Sequence, residues 1–155
     1  HSSGLIGEDP KSNVRNIYPM ITKVAIGAIN KINIFGSDWP TKDGTGVRDY
    51  IHVMDLAEGH SLALNYLIKE KPQILNLNLG TGLGTTVLEL IKTFQKVNNI
   101  NVPYLFKDRR NGDNGILVAD NSLAIKVLNW KPKNNLEDMC RDGWKWQLKN
   151  PNGFS

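Results

Sequence analysis

Apolar residues at Val14, Ile17, Ile21, Val24, Ala25 and Ala28 recur in steps of three and four, which puts them on one face of a helix between positions 14 and 29. Pro19 limits where that helix can begin. Ile32, Ile34 and Phe35 then read as a short strand, and positions 36–46, dense in Gly, Asp and Pro, as a surface loop. The β-branched and aromatic run from Val47 to Val53 predicts another strand. Asp55 follows as an N-cap with Glu58 at capping-box spacing, ahead of a helical stripe of Leu56, Ala57, Leu62, Ala63, Tyr66 and Leu67 that Pro72 closes. Ile74 to Leu79, short and apolar before the glycines Gly80, Gly82 and Gly84, predicts a buried strand. Thr86 and Glu89 form a second capping box, opening a helix that runs through Val97. Pro103 to Lys107 reads as a strand, Ser122 to Leu128 as a short helix, and Leu136 to Leu148 as a final helix carrying Trp144 and Trp146. Strands alternating with helices make this an α/β unit.

At 155 residues, with 40% hydrophobic and 22% charged, the chain is sized and composed as a single folded domain covering positions 1–155. Its apolar runs fall far short of the roughly 18 residues a membrane helix needs, so no membrane association is expected. The formal charge of +4 is spread along the chain; it favours anionic small molecules weakly and argues against nucleic acid. A single cysteine, Cys140, excludes an internal disulfide and a multi-cysteine metal site, which suits a reducing compartment such as the cytoplasm. The three histidines, His1, His52 and His60, make no metal-ligand pattern, and Cys140 has no His at helical spacing, so neither zinc nor a thiol nucleophile is expected. The opening at His1, with neither Met nor a charged-then-apolar leader, reads as a piece of something longer.

Three segments carry candidate chemistry. The run Gly80-Thr-Gly-Leu-Gly84, between a strand and a helix, has the setting of a dinucleotide loop. Its glycines alternate, however, where a fingerprint needs G-x-G-x-x-G, and no acidic residue closes a second strand downstream, so it reads as a structural turn. In Gly46-Val-Arg-Asp-Tyr-Ile-His-Val-Met-Asp55, Arg48 and Tyr50 stand two apart on the predicted strand and so share a face that could hold a phosphate. Taken alone, Arg48 reads more readily as a solvated surface charge, His52 as a packing residue, and Asp49 as the partner of a basic neighbour. Asp108-Arg-Arg-Asn-Gly-Asp113 is either a second anion clamp, with Arg110 on a phosphate and Asp113 accepting ribose hydroxyls, or a polar turn with compensating charges. Of the four tryptophans, at least one of Trp144 and Trp146 is expected in the core or an interface, since they lie about 200° apart on one helix.

Together the segments H-S-S-G-L-I-G-E-D-P, K-V-A-I-G, I-F-G, D-G-T-G-V-R-D-Y-I-H-V-M-D-L-A, N-L-G-T-G, R-R-N-G-D and the ending W-K-W-Q-L-K-N-P-N-G-F resemble, in order and spacing, the C-terminal half of the UDP-glucose 4-epimerase family of extended short-chain dehydrogenases/reductases. The resemblance implies a substrate-binding portion that lacks most of the Rossmann sheet. In that family, bound NAD takes a hydride from C4 of the sugar of UDP-glucose or UDP-galactose and returns it to the other face, and the enzymes are usually homodimers through the other half.

Carried onto matching positions, the resemblance gives Asn16 a contact to the diphosphate, although Ile17 stands where the family usually has Leu, and makes Asn33 and Phe35 part of the strand that reads uracil. It assigns Arg48 and Arg110 to the diphosphate, Tyr50 to a neighbouring contact, Asp113 to the uridine ribose, and Leu117 to the sugar pocket, where it leaves acceptance of N-acetylated UDP-hexoses open. The family's catalytic Tyr-x-x-x-Lys pair is absent: four residues beyond Tyr18, Tyr50, Tyr66 and Tyr104 stand Thr22, Met54, Glu70 and Asp108. No catalytic residue is therefore expected in this chain, and neither turnover nor NAD binding by it alone. The alternatives are a stand-alone sugar-nucleotide binding module without turnover and, less in keeping with the V-R-D-Y-I-H-V-M-D segment, a sister sugar-nucleotide enzyme.

Overall fold

The structure, a computed structural model, describes residues 1–9 and 16–154. Val14, the first residue of the expected helical stripe, lies outside them. Helix α1 spans Ile17–Ala25 and strand β1 Ile32–Phe35, where burial alternates: Ile32 and Ile34 face the core while Asn33 and Phe35 face out. Strand β2 is only Val47–Arg48, and helix α2 runs Val53–Lys69. Strand β3, Thr85–Thr86, leads directly into helix α3, Val87–Asn98; strands β4, Tyr104–Lys107, and β5, Ile116–Leu117, precede helices α4, Ser122–Leu128, and α5, Leu136–Lys149. β1 and β4 pair in parallel, Ile32 opposite Tyr104, and β2 lies between antiparallel β3 and parallel β5.

The main core gathers α1, β1, α3 and α5 around Phe94, Ile21 and Ile91, all fully buried. Phe94 stacks edge-on against Tyr18 and Trp144, with ring centroids 6.1 and 5.7 Å away. The capping box expected at Thr86 and Glu89 forms in full, and Trp146 is buried as anticipated for one of the α5 tryptophans. A smaller cluster under α2 and α4 is built on Ala124, Leu128 and Trp130.

Three expectations are corrected. The Val47–Val53 strand stops at Arg48, because the chain turns into α2 at Val53: His52 caps that helix, its Nδ1 accepting the Met54 N–H at 3.0 Å. Asp55 is therefore not the cap. It lies buried in the first turn, where its carboxylate accepts the backbone N–H and side-chain amide of Asn134 at 3.0 and 2.8 Å, while Glu58 is drawn to Lys133. Ile74 to Leu79 forms no strand and enters no ladder with the described residues. Ile74 is 95% exposed, whereas Leu77 and Leu79 rest on the smaller cluster, Leu79 covering Gly59 of α2.

Candidate functional site

A cavity of about 710 Å³ opens between α1, β1, the 36–46 loop, β2 and the turn after β4. That volume suits a ligand the size of a nucleotide. Asn16 and Ile17, at the start of α1, line one wall, and β1 supplies Asn33 and Phe35 from its outward face. Arg48 and Tyr50 enter from β2 and just beyond it, and Arg110 and Asp113 from the turn after β4. Eight of the nine expected positions thus meet at one cavity. Leu117, the ninth, stands beside Arg48 in the β2–β5 register but on the edge strand, 59% exposed and outside the cavity lining.

The two arginines are held differently. Nη1 of Arg48 donates to the carbonyls of Val47 and Asn114 at 2.7 and 2.9 Å, so among the described residues it is backbone that anchors that guanidinium. Arg110 instead lies over the Phe35 ring, 4.6 Å from its centroid, and donates from Nε and Nη2 to the Asp113 carboxylate at 2.9 and 3.3 Å. The Tyr50 hydroxyl is buried and has no hydrogen-bond partner among the described residues. Burial pushes its pKa up to about 12, with Arg48 pulling weakly the other way, so near neutral pH the phenol keeps its proton and can only donate to an anion or accept from a donor.

The composition and spacing did not single out Asp38 and Arg109 or give Trp39 its place. Trp39 lines the cavity wedged against Gly36 and Gly115, where added side chains would collide with its ring. Arg109 covers the same ring at 3.8 Å and donates to the Asp38 carboxylate at 2.7 Å. Adjacent arginines therefore divide the work: Arg109 ties the turn after β4 to the 36–46 loop, and Arg110 faces the cavity. No sequence signal marks this, because Gly36 and Gly115, which both leave room for the indole, meet only in the fold.

The Gly80–Gly84 loop is the structural turn that its spacing indicated, and Asp49 is the reason. The Asp49 carboxylate, expected to meet a basic neighbour, instead accepts the Thr81 N–H and hydroxyl at 2.9 and 2.5 Å and the Gly82 N–H at 2.9 Å. The amides that could have cradled a pyrophosphate already serve an anion from the chain itself. NAD is thus poorly matched to this loop. His52, expected to pack, is buried and approaches Asp142 with Nε2 at 3.3 Å, away from the cavity lining. Among the described residues no cluster of His, Cys, Asp and Glu could hold a metal ion, and no helix is long and apolar enough to cross a membrane. The chemistry on offer at the cavity is recognition: cationic and phenolic donors for an anion, an aromatic ring and a side-chain amide on β1, and a carboxylate that can accept from hydroxyls.

The family described as GDP-mannose 4,6 dehydratase matches residues 1–143. A UDP-glucose 4-epimerase of Bacillus subtilis (strain 168) is 50% identical over 154 residues, which is 99% of this chain and 45% of that relative. The crystal structure of a UDP-glucose 4-epimerase from Bifidobacterium longum in complex with NAD+ and UDP superposes with a TM-score of 0.93 at 47% identity, over 99% of this chain and 45% of that one. Another, from Stenotrophomonas maltophila with bound NAD and formylated UDP-arabinopyranose, gives 0.93 at 49% identity over 97% of this chain and 45% of that one. The chain thus spans under half the length of these relatives, and its fold corresponds to their C-terminal part. It belongs to the family described as GDP-mannose 4,6 dehydratase and is similar, along its whole length, to the UDP-glucose 4-epimerases.

Proposed function

We propose that this chain is the UDP-sugar-binding part of a UDP-glucose 4-epimerase that interconverts UDP-glucose and UDP-galactose with NAD. The observation that carries the reading is the convergence of Arg48 and Arg110, from separate elements, on one cavity that also holds Tyr50, Asp113, Asn33 and Phe35. Two guanidinium groups and a protonated phenol suit a diphosphate; Asp113 suits ribose hydroxyls; Phe35 and Asn33 offer a flat ring and an amide to a base. The chain contributes binding and orientation, which is where fixed donors lower a barrier by holding the substrate ready. NAD, when bound, supplies the hydride acceptor, and the rest of the protein holds both it and the proton-transferring Tyr and Lys that this sequence lacks.

In the same reading, the Ile74–Leu79 segment joins the sheet of that remaining part, and the exposed apolar side of α2, with Leu64, Leu67 and Ile68, packs near it. Whether the completed enzyme accepts N-acetylated UDP-hexoses turns on what comes to cover Leu117.

In the full-length protein, Arg48→Ala or Arg110→Ala should each weaken UDP binding at least about tenfold by calorimetry, as loss of a charge-assisted contact implies. Unchanged affinity in both variants would remove the diphosphate from this cavity. Titrating this chain alone separates the two remaining readings: micromolar UDP binding supports a self-sufficient module, and no binding means that the rest of the protein completes the site. Turnover of UDP-galactose by this chain with NAD, above a no-protein control, would overturn the assignment of chemistry to the rest of the protein.

A further inference from the structure

β2 ends at Arg48, and α2 does not begin until Val53, so the backbone carrying Tyr50 lies between regular elements. Asp49 sits between the two cavity residues but is itself not part of the cavity lining. Its carboxylate meets four donors: the N–H and hydroxyl of Thr81, the Gly82 N–H and the Ala119 N–H at 3.3 Å. The donors come from two separate stretches, the glycine turn before β3 and the segment between β5 and α4. The glycine turn is shaped for this contact. A Cβ on Gly80 would stand 2.6 Å from the Asp49 carboxylate and 2.5 Å from the Ala119 Cβ, and Gly82 takes a φ of +73°, which glycine adopts at little cost. The Asn121 side chain closes the turn from the far side by donating to the Gly80 carbonyl at 2.8 Å.

The geometry points to Asp49 as the positioning residue of the diphosphate site: seated in the amides of the Gly80–Gly84 turn, it fixes the backbone from which Arg48 and Tyr50 reach the cavity. The inference rests on the UDP reading above and adds a residue to it. It also inverts a simple electrostatic expectation. On charge alone, removing a carboxylate next to an arginine would tighten an anion's binding; as a positioning group, its removal loosens it. An amide cannot substitute, since its NH₂ would face N–H groups that are themselves donors.

The test uses the full-length protein, with UDP measured by calorimetry and uridine by NMR titration. Wild-type UDP binding decides the UDP reading, and its failure would sink both proposals. Given that binding, Asp49→Asn should raise the Kd for UDP about tenfold or more while leaving uridine within about twofold, because Asn33, Phe35 and Asp113 sit on other elements. Unchanged or tighter UDP binding overturns the positioning role, and so does an equal loss for UDP and uridine, which would mean that Asp49 merely supports the fold. If Asp49→Asn does not fold, Thr81→Val removes one donor and keeps the shape: UDP weakened by about two- to fivefold with uridine unchanged supports the role, and identical UDP affinity ends it.

Discussion

Around α3, apolar residues from four elements are sealed almost completely; around α2, the helix buries only Asp55 and Gly59 fully, while Leu64, Leu67 and Ile68 stand 53–72% exposed. The cavity belongs to the first region. Its walls are the outward face of β1 and the start of α1, whose inner faces carry Ile32, Ile34 and Ile21 into the core. The second region leaves large apolar side chains at its surface, as a face that meets more protein would. A core that is complete by itself can hold a recognition site in place even where a neighbouring face is left uncovered.

The sharpest way to break this contrast is Phe94→Ala. Phe94 is fully buried between Tyr18 and Trp144, so its truncation should cost about 3–5 kcal/mol in urea unfolding, and a loss under 1 kcal/mol would show the first region to be loosely packed. Alkali should probe the same region next. Burial raises the pKa of Cys140 from 9.0 to about 12, that of Tyr50 from 10.0 to about 12, and that of Tyr18 higher still. Between pH 9 and 12 the unfolded chain releases protons that the folded chain retains, so stability present at neutral pH should fall as pH rises. Unfolding curves across that window check the sign, and Tyr50→Phe should flatten part of the decline. The smallest effect belongs to the second region: Ile68→Ser, at a position 72% exposed, should change stability in urea unfolding by no more than about 0.5 kcal/mol. A larger loss would mean that the face is packed after all.

Local chemistry was the part of the fold most readable from the sequence. Ser122–Leu128 is the α4 helix residue for residue, and Thr86 with Glu89 located the start of α3, because a capping box is satisfied within four residues. Where a residue's partner was distant, the expectation slipped. Asp55 and Glu58 have the same capping spacing, yet Asn134 and Lys133 claim them. Asp49 looked for a cation and found the glycine turn. The two-residue strands β3 and β5 exist only because β2 lies between them, and no two-residue pattern could announce that. Of the cavity, Arg48, Tyr50 and Arg110 were legible as anion-binding chemistry and Asp113 as an acceptor for hydroxyls, whereas Asn16, Asn33 and Phe35 came from the resemblance alone. Trp39 needed the coordinates, since the glycines that admit it are far apart in the chain.

The parallel pairing of β1 with β4 has a kinetic corollary. Antiparallel neighbours can zip from a tight turn, but these two strands meet only after a crossover containing β2, α2, β3 and α3 has been laid down. Such nonlocal contacts give a high contact order and slow folding. Asn33 and Phe35 ride on one strand and Arg110 and Asp113 just beyond the other, so in a refolding chain helical signal would rise first and ligand capture would trail it, arriving with the last long-range closure.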